Sequence, residues 1–111
     1  LVVRDFSELN LDFWHQLQCL EPFGVGNTEP VFLFEEVFVL SVRRMGAEQQ
    51  HLKLNLRDNF GHNFSVLAWF APKNWLEIPE ASRINLWVSL FLSEWNGSQN
   101  LEGKILRLEQ F

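Results

Sequence analysis

Cysteine is almost absent from this chain of 111 residues, in which Cys19 is the single copy. One cysteine can form no intrachain disulfide and cannot build a structural zinc site, so we expect a cytoplasmic protein that holds no metal or other cofactor of its own. Long apolar runs are absent too, since the longest, such as residues 37–40, have the length of a strand and not of a membrane span. The first residues carry neither a basic segment nor a long apolar one, so we expect no signal peptide.

Basic residues are also scarce, because 9 Lys and Arg stand against 14 Asp and Glu, which gives a net charge of −5. This balance argues against a strongly basic nucleic-acid binder of the histone or ribosomal kind. The acidic excess is uneven: residues 1–36 contain seven acidic residues and one basic residue, whereas the remainder contains seven acidic and eight basic ones. The later part of the chain therefore has room for a local basic surface, although solubility alone explains the charges equally well.

The composition is that of a globular protein, with 47% apolar and 21% charged residues, and the length predicts one core. Methionine occurs once, at Met45, and the chain begins at Leu1. We therefore expect this chain to be part of a longer protein.

Residues 1–30 are expected to form a lead-in helix followed by a connector rich in proline and glycine. Asn10 is suited to cap the helix, and Pro22 ends it. Apolar residues recur with helical spacing at Leu9, Phe13, Leu17 and Leu20.

Residues 31–111 are expected to form a barrel of five strands. Residues 31–44 predict one long strand or two strands joined at a bend, and residues 51–57 alternate between apolar and polar side chains. Pro72 and Pro79 bound a short helix after the third strand, Asn96 and Gly97 predict a tight hairpin, and Gly103 is a candidate β-bulge. This order predicts a mainly β, five-stranded OB-fold barrel with an N-terminal helix and a short helix between strands 3 and 4, with an SH3-like barrel as its nearest rival.

No catalytic constellation is visible in the sequence. The three histidines lack metal-ligand spacing, and Asp58 with His62 flanks a turn in which aspartate usually serves the backbone. The glycines at residues 24 and 26 lack the third glycine of a dinucleotide fingerprint. We therefore expect no catalytic and no metal-binding residue in this chain.

A binding surface is the remaining prediction. In the second strand, leucines at alternate positions face the core, so that Lys53 and Arg57 face outward and can contact phosphates. Exposed aromatic rings close to such cations suit unpaired nucleic acid, because every base can stack on a ring. These rings are Trp87, Phe91 and Trp95 on the polar side of the fourth strand, which Trp69 can join. The alternative is that they form a second core layer under the N-terminal helix, with Trp87 and Phe91 the first to be covered. The candidate nucleic-acid-binding residues are His51, Lys53, Asn55, Arg57, Arg43, Arg44, Trp95, Lys104 and Arg107.

Three segments resemble one protein family. The run LEPFGVGNTEPVF over residues 20–32 is similar to the connector Leu-x-Pro-Phe-Gly-x-Gly-Asn-Pro-x-Pro of the RecJ family of single-strand-specific DNA exonucleases, with Thr28 in place of the usual proline. The segments HLKL at residues 51–54 and EWNG at residues 94–97 resemble later parts of the same family.

The resemblance implies a bacterial 5′→3′ exonuclease of DNA repair and recombination that uses Mn²⁺ or Mg²⁺. The family's catalytic core carries an Asp-His-His motif, and no such motif occurs in this chain. The resemblance therefore implies the OB domain that follows the core, with single-stranded DNA and the catalytic core of the same protein as partners and no membrane contact. The alternative is a structural or protein-interaction domain that docks on the catalytic core or on another repair protein.

Overall fold

The structure of the protein is a computed structural model that describes residues 1–18 and 30–110, except for the Trp95 side chain. Most of the predicted connector and Cys19 therefore lie outside the described residues. The regular elements are, in chain order, a 3-10 helix (Phe6–Glu8), α1 (Leu11–Gln18), β1 (Phe32–Met45), β2 (His51–Arg57), β3 (Asn63–Ala68), α2 (Lys73–Leu76), β4 (Arg83–Trp95) and β5 (Ser98–Gln110).

The five strands close into a barrel with the order β1-β2-β3-β5-β4, and β4 returns to β1. All neighbouring strands are antiparallel except β3 and β5, which run parallel over a short contact. This topology, with α1 before the barrel and α2 between β3 and β4, confirms the predicted OB-fold. The division of the chain at residue 30 remains a prediction.

The barrel is filled by inward side chains from every strand. Leu52, Leu54 and Leu56 of β2 are each 0% exposed, which confirms the alternation that the sequence predicts. Full burial of one leucine stabilises the fold by roughly 1.5–3 kcal/mol. The alternation therefore also fixes which β2 side chains point to solvent, because a slip of one residue would exchange the two faces.

β1 is one continuous strand that changes partner along its length. Its first half pairs with β4 and its second half with β2, and each ladder contains a register shift. At the first shift, Glu36 has a positive φ of 49° and its N–H donates to Asn85 Oδ1 at 2.8 Å. Such bulges bend a strand around a barrel, so the open choice between one and two strands is settled in favour of one bent strand.

The N-terminal residues pack on the barrel. Asn10 caps α1 as predicted, since its Oδ1 accepts a hydrogen bond from the Phe13 N–H at 2.9 Å. Val3, Phe6 and Leu9 belong to the same buried cluster as the barrel core. The segment before α1 is thus held by apolar burial as well as by hydrogen bonds.

The β4–β5 hairpin contains one confirmed turn and one correction. Asn96 and Gly97 have positive φ values of 50° and 80°, as a type I′ turn requires. Gly103, by contrast, is not at the bulge of β5. The extra residue is Leu106, because Trp87 pairs with Arg107 and the next β4 residue pairs with Ile105.

Candidate nucleic-acid interface

Three strand segments form the surface that carries most of the predicted binding residues. They are residues 38–45 of β1, together with β2 and β3, and we call their outward face the basic wall. Arg43, Lys53 and Arg57 lie on it, and the three segments contain no Asp or Glu. Such a surface attracts a polyanion over a range of about 8 Å at physiological ionic strength.

The cations of the basic wall are spread over its length. Arg43 lies directly opposite Lys53 in the β1–β2 ladder, so these two are neighbours across adjacent strands. Arg57 is four residues further along the same face of β2, which corresponds to about 13 Å. This separation suits contacts to different phosphates of one strand better than two contacts to a single phosphate.

The middle of the basic wall is polar and neutral. The Asn55 side chain donates from Nδ2 to Ser41 Oγ at 2.9 Å and accepts at Oδ1 from Ser65 Oγ at 2.8 Å. The three side chains link β1, β2 and β3 across the surface. Asn55 keeps a second N–H for a ligand, because its amide nitrogen has two donors.

One carboxylate approaches the basic wall from β5. Glu102 Oε2 lies 3.8 Å from Lys53 Nζ, and Glu102 is buried whereas the Lys53 side chain is one-third exposed. Both residues line an open groove of about 460 Å³ between β3, the start of β5 and the N-terminus of α1. Lys53 is therefore partly neutralised in the free protein.

An aromatic cluster lies at one end of the basic wall. His51 packs edge-on against Trp69 and Phe70, with ring centroids 5.7 and 4.7 Å away, and its Nδ1 accepts a hydrogen bond from the Phe70 N–H at 3.0 Å. This bond places the proton of a neutral His51 on Nε2. Trp69 and Phe70 are 53% and 76% exposed, so this pair is available for stacking.

Lys104 lies beside this aromatic cluster. It is in register with Leu67 of β3, which in turn is in register with Lys53, so the two lysines share one row around the barrel. Lys104 and Trp69 also line a shared groove of about 210 Å³. The structure thus brings a cation and an exposed indole together, as base stacking with phosphate contact requires.

Arg44 and Arg107 do not join the basic wall. Arg44 pairs with the inward Leu52, and its Nε and Nη2 donate to the carbonyl of Leu76 at the end of α2, so it anchors that helix and does not extend the row of Arg43. Arg107 lies on the β4–β5 side, with its guanidinium 4.8 Å above the Trp87 ring. Trp95 ends β4, and its side chain is outside the described residues.

Arg83 is a cation that the sequence analysis missed. It is exposed at the start of β4 and lies opposite Phe38, whose other neighbour is Arg57, so Arg83 continues the Arg57 row across β1. Its position before the inward Ile84 predicts an outward side chain. Its proximity to Arg57, however, depends on the closure of the barrel, which no local pattern shows.

One group of titratable side chains has ligand atoms within 4.8 Å of one another among the described residues, namely Asp5, Asp58 and His62. Asp58 is buried, and its oxygens accept hydrogen bonds from the N–H groups of Phe6, Phe60 and His62 at 2.7, 2.9 and 2.8 Å. Burial by itself raises the pKa of Asp58, but these donors and His62 outweigh it and hold the pKa below its ordinary value. The carboxylate thus ties the N-terminal segment to the β2–β3 turn, as expected for aspartate in a hairpin loop.

The hydroxyl and N–H of Ser7 lower the pKa of Asp5, which His62 Nδ1 approaches at 3.0 Å. Asp5 Oδ1 is therefore engaged by both Ser7 and His62, and the contact with His62 helps to hold the N-terminal segment on the β2–β3 turn. None of the helices in the described part of the chain has the length and apolarity to cross a bilayer.

Comparison with known proteins places these features in a family. A model described as the RecJ OB domain matches residues 2–107. The single-stranded-DNA-specific exonuclease RecJ of Bacillus subtilis (strain 168) is 27% identical over 95 residues, which cover 86% of this chain and 12% of that protein. RecJ of Thermus thermophilus, solved in complex with Mn²⁺, superposes with a TM-score of 0.75 at 28% identity, over 98% of this chain and 15% of the other.

A more distant structure shares the fold alone. The mitochondrial single-stranded DNA binding protein Rim1 of S. cerevisiae is 9% identical, with a TM-score of 0.54 over 74% of this chain and 92% of that one. The chain spans about one-eighth of the curated relative that it matches. Because the family model matches residues 2–107, nearly the whole chain, the chain belongs to the RecJ OB domain family.

Proposed function

We propose that this domain binds single-stranded DNA through the basic wall and the adjacent aromatic cluster, and holds it for a catalytic core elsewhere in the same protein. The observation that carries the proposal is the basic wall itself, where Arg43, Lys53 and Arg57 share a face whose three strand segments contain no acidic residue. Phosphates require cations, and Trp69 with Phe70 offers the exposed rings on which unpaired bases stack.

The reaction itself belongs to the rest of the protein. The Bacillus subtilis relative is a single-stranded-DNA-specific exonuclease, and RecJ of Thermus thermophilus has been solved both with Mn²⁺ and with Mg²⁺. This chain has no Asp-His-His motif, and its one group of metal-ligand side chains among the described residues is engaged in hydrogen bonds. We therefore assign the metal and the 5′→3′ cleavage to a core outside this chain, in a bacterial enzyme of DNA repair and recombination that acts in the cytoplasm.

The test is a titration of the chain with oligo(dT), followed by tryptophan fluorescence at two or more salt concentrations. The proposal predicts that affinity falls as salt rises, because each neutralised phosphate of a single strand contributes about 0.7 to the slope of log K against log salt. The double variant Lys53→Glu, Arg57→Glu should lower the slope by at most about 1.4, the contribution of two full phosphate contacts, and weaken binding at least about tenfold.

A matched control reverses two cations outside the basic wall. Lys73→Glu with Arg107→Glu changes the net charge by the same amount, but Lys73 lies on α2 and Arg107 on the β4–β5 side. This control should lose much less affinity. Equal losses in the two double variants would mean that overall charge governs binding and that the basic wall has no special role.

A second function, docking on the catalytic core, is favoured by α1. Within the described residues this helix has no fully buried side chain, and Leu11 is exposed while Phe13, Trp14 and Leu17 are only partly covered. An apolar helix surface of this kind suits a protein partner. If the full enzyme kept its DNA affinity with Lys53→Glu and Arg57→Glu in place, docking would become the better account of the domain.

A further inference from the structure

We propose that Glu102 competes with DNA phosphate for Lys53, and that this competition lowers the affinity of the domain for single-stranded DNA. The inference rests on the proposed function and adds a residue that limits affinity at the same surface. The juxtaposition behind it is a buried carboxylate from β5 beside a partly exposed lysine of the basic wall.

Glu102 is a charged residue in an unusual position for the outer face of a barrel. It is 8% exposed. Its Oε1 accepts a hydrogen bond from the Ser93 hydroxyl on the neighbouring strand β4. Its Oε2 is buried and has no hydrogen-bond partner in the described part of the chain. The nearest cation, Lys53 Nζ, is 3.8 Å from this oxygen, which is an ion-pair distance and not a hydrogen bond.

The two partners depend on each other unequally. A carboxylate removed from water is stabilised by a nearby opposite charge, and loss of that charge leaves it uncompensated. Lys53 needs Glu102 less, because its side chain is one-third exposed and keeps access to water. The ion pair therefore stabilises Glu102 more than it stabilises Lys53, and it holds the Lys53 side chain towards the groove.

Binding of a phosphate to Lys53 must disturb this arrangement. If the ammonium moves to the phosphate, Glu102 Oε2 loses its only nearby cation among the described residues, and if it stays, the phosphate lies close to a carboxylate. Either outcome opposes binding at this position. Arg43 and Arg57 have no such competitor, since neither forms an ion pair with a carboxylate among the described residues.

The consequence is a built-in limit on affinity at the centre of the surface. A domain that holds a strand for an exonuclease must also release it as the strand shortens, and a weakened central contact allows the strand to slide. The sequence spacing could not reveal the competitor, because Lys53 and Glu102 are on strands separated by β3 in the barrel.

The experiment compares Glu102→Gln with Glu94→Gln in the oligo(dT) titration. Both variants remove one negative charge, but Glu94 is exposed and its Oε1 contacts Gln99 Nε2 at 3.1 Å, away from Lys53. Glutamine at residue 102 can still accept the Ser93 hydrogen bond. We expect Glu102→Gln to tighten binding about three- to tenfold and to raise the salt slope by at most about 0.7, because Lys53 is partly neutralised in the wild type and then makes a full phosphate contact.

Two further variants protect the test against misfolding and against effects of total charge. Glu102→Asp keeps the net charge but retracts the carboxylate from Lys53, and it should give a smaller gain in affinity. Lys53→Gln should weaken binding more in the Glu102→Gln background than in the wild type. In the Glu102→Gln background the lysine that is replaced has no carboxylate partner and can contact phosphate fully.

The outcomes separate the two proposals. If the wild type binds oligo(dT) and Glu102→Gln has the same affinity and salt slope as Glu94→Gln, the competition is overturned and the proposed function remains. Failure of the wild type and of Glu102→Gln to bind at low salt would overturn both. Additive effects of Lys53→Gln and Glu102→Gln would likewise show that Glu102 does not compete with DNA for Lys53.

Discussion

Gly103 lies directly opposite Val66 in the short parallel pair that joins β3 to β5 and completes the barrel. A Cβ atom added at Gly103 would be 3.0 Å from Val66 Cγ1 and 3.3 Å from Phe64 Cε2. Both distances are shorter than ordinary contacts between such atoms. The glycine therefore lets the two strands approach closely enough to pair.

Gly103→Ala should destabilise the barrel by about 1–3 kcal/mol, because it adds a methyl group to a packed interior. Urea denaturation would measure the loss as a lower midpoint with an unchanged slope. In a Val66→Ala background the same substitution should be less damaging, since the nearest methyl is gone. An equal loss in the two backgrounds would show that the Val66 contact is not the cause.

Gly103 also shows which features of the fold can be predicted from the sequence. The alternation of Leu52, Leu54 and Leu56 and the Asn96–Gly97 turn depend on neighbouring residues, and both are found where they are expected. A glycine in a strand indicates either a bulge or a close approach, and only the partner strand decides between them. The partner, β3, is distant in sequence, and the bulge itself is at Leu106, which carries no local signal.

The candidate site, too, could be predicted from the sequence only where the placement of a residue depends on its own strand. The outward directions of Lys53 and Arg57 follow from the period of β2 alone, and the structure places both on one face. The sequence groups Arg44 with Arg43 because the two are adjacent, but adjacent strand residues point to opposite faces. Arg83 and Glu102 reach this surface only through barrel closure, so their proximity could not be deduced from spacing.

Asp58→Asn should lower the free energy of unfolding by about 1–3 kcal/mol at pH 7. Asp58 accepts three backbone N–H groups, from Phe6, Phe60 and His62, and an amide cannot replace both carboxylate oxygens as acceptors. Urea denaturation would measure the change. The exposed Asp12, in the first turn of α1, is a suitable control position, and Asp12→Asn should have little effect.

Acid should remove the contribution of Asp58. The pKa of this carboxyl is lowered in the folded protein, so the unfolded chain binds its proton first as pH falls. The stabilisation is therefore fully present above the unfolded pKa of about 3.9 and is lost as pH falls through the folded value. The difference in stability between the wild type and Asp58→Asn should shrink over this acid range, and a difference that stayed constant with pH would contradict the linkage. Asp5, whose pKa is also lowered, shifts stability in the same direction in both proteins.

Trp69→Ala should weaken oligo(dT) binding by about 1–3 kcal/mol, the contribution of one base stacked on an aromatic ring. Its indole is 53% exposed and lies next to His51 and Phe70. The salt slope should not change, because no cation is removed. Trp87→Ala is the control, since that ring lies on the β4–β5 side beneath Arg107, and it should leave DNA affinity unaffected. Equal losses from the two substitutions would argue against a stacking role that is specific to Trp69.

Arg43→Gln should weaken DNA binding and Arg44→Gln should lower stability, although the two residues are neighbours in sequence. Arg43 is outward beside Lys53, so its loss should reduce the salt slope by about 0.7 and weaken binding severalfold while stability is kept. Arg44 donates to the Leu76 carbonyl, so its loss should lower the free energy of unfolding by about 1 kcal/mol and leave the salt slope unchanged. Oligo(dT) titration and urea denaturation of the two variants would check both halves. A reduced salt slope for Arg44→Gln would show that Arg44 contacts DNA phosphate, and would contradict its assignment to the α2 contact alone.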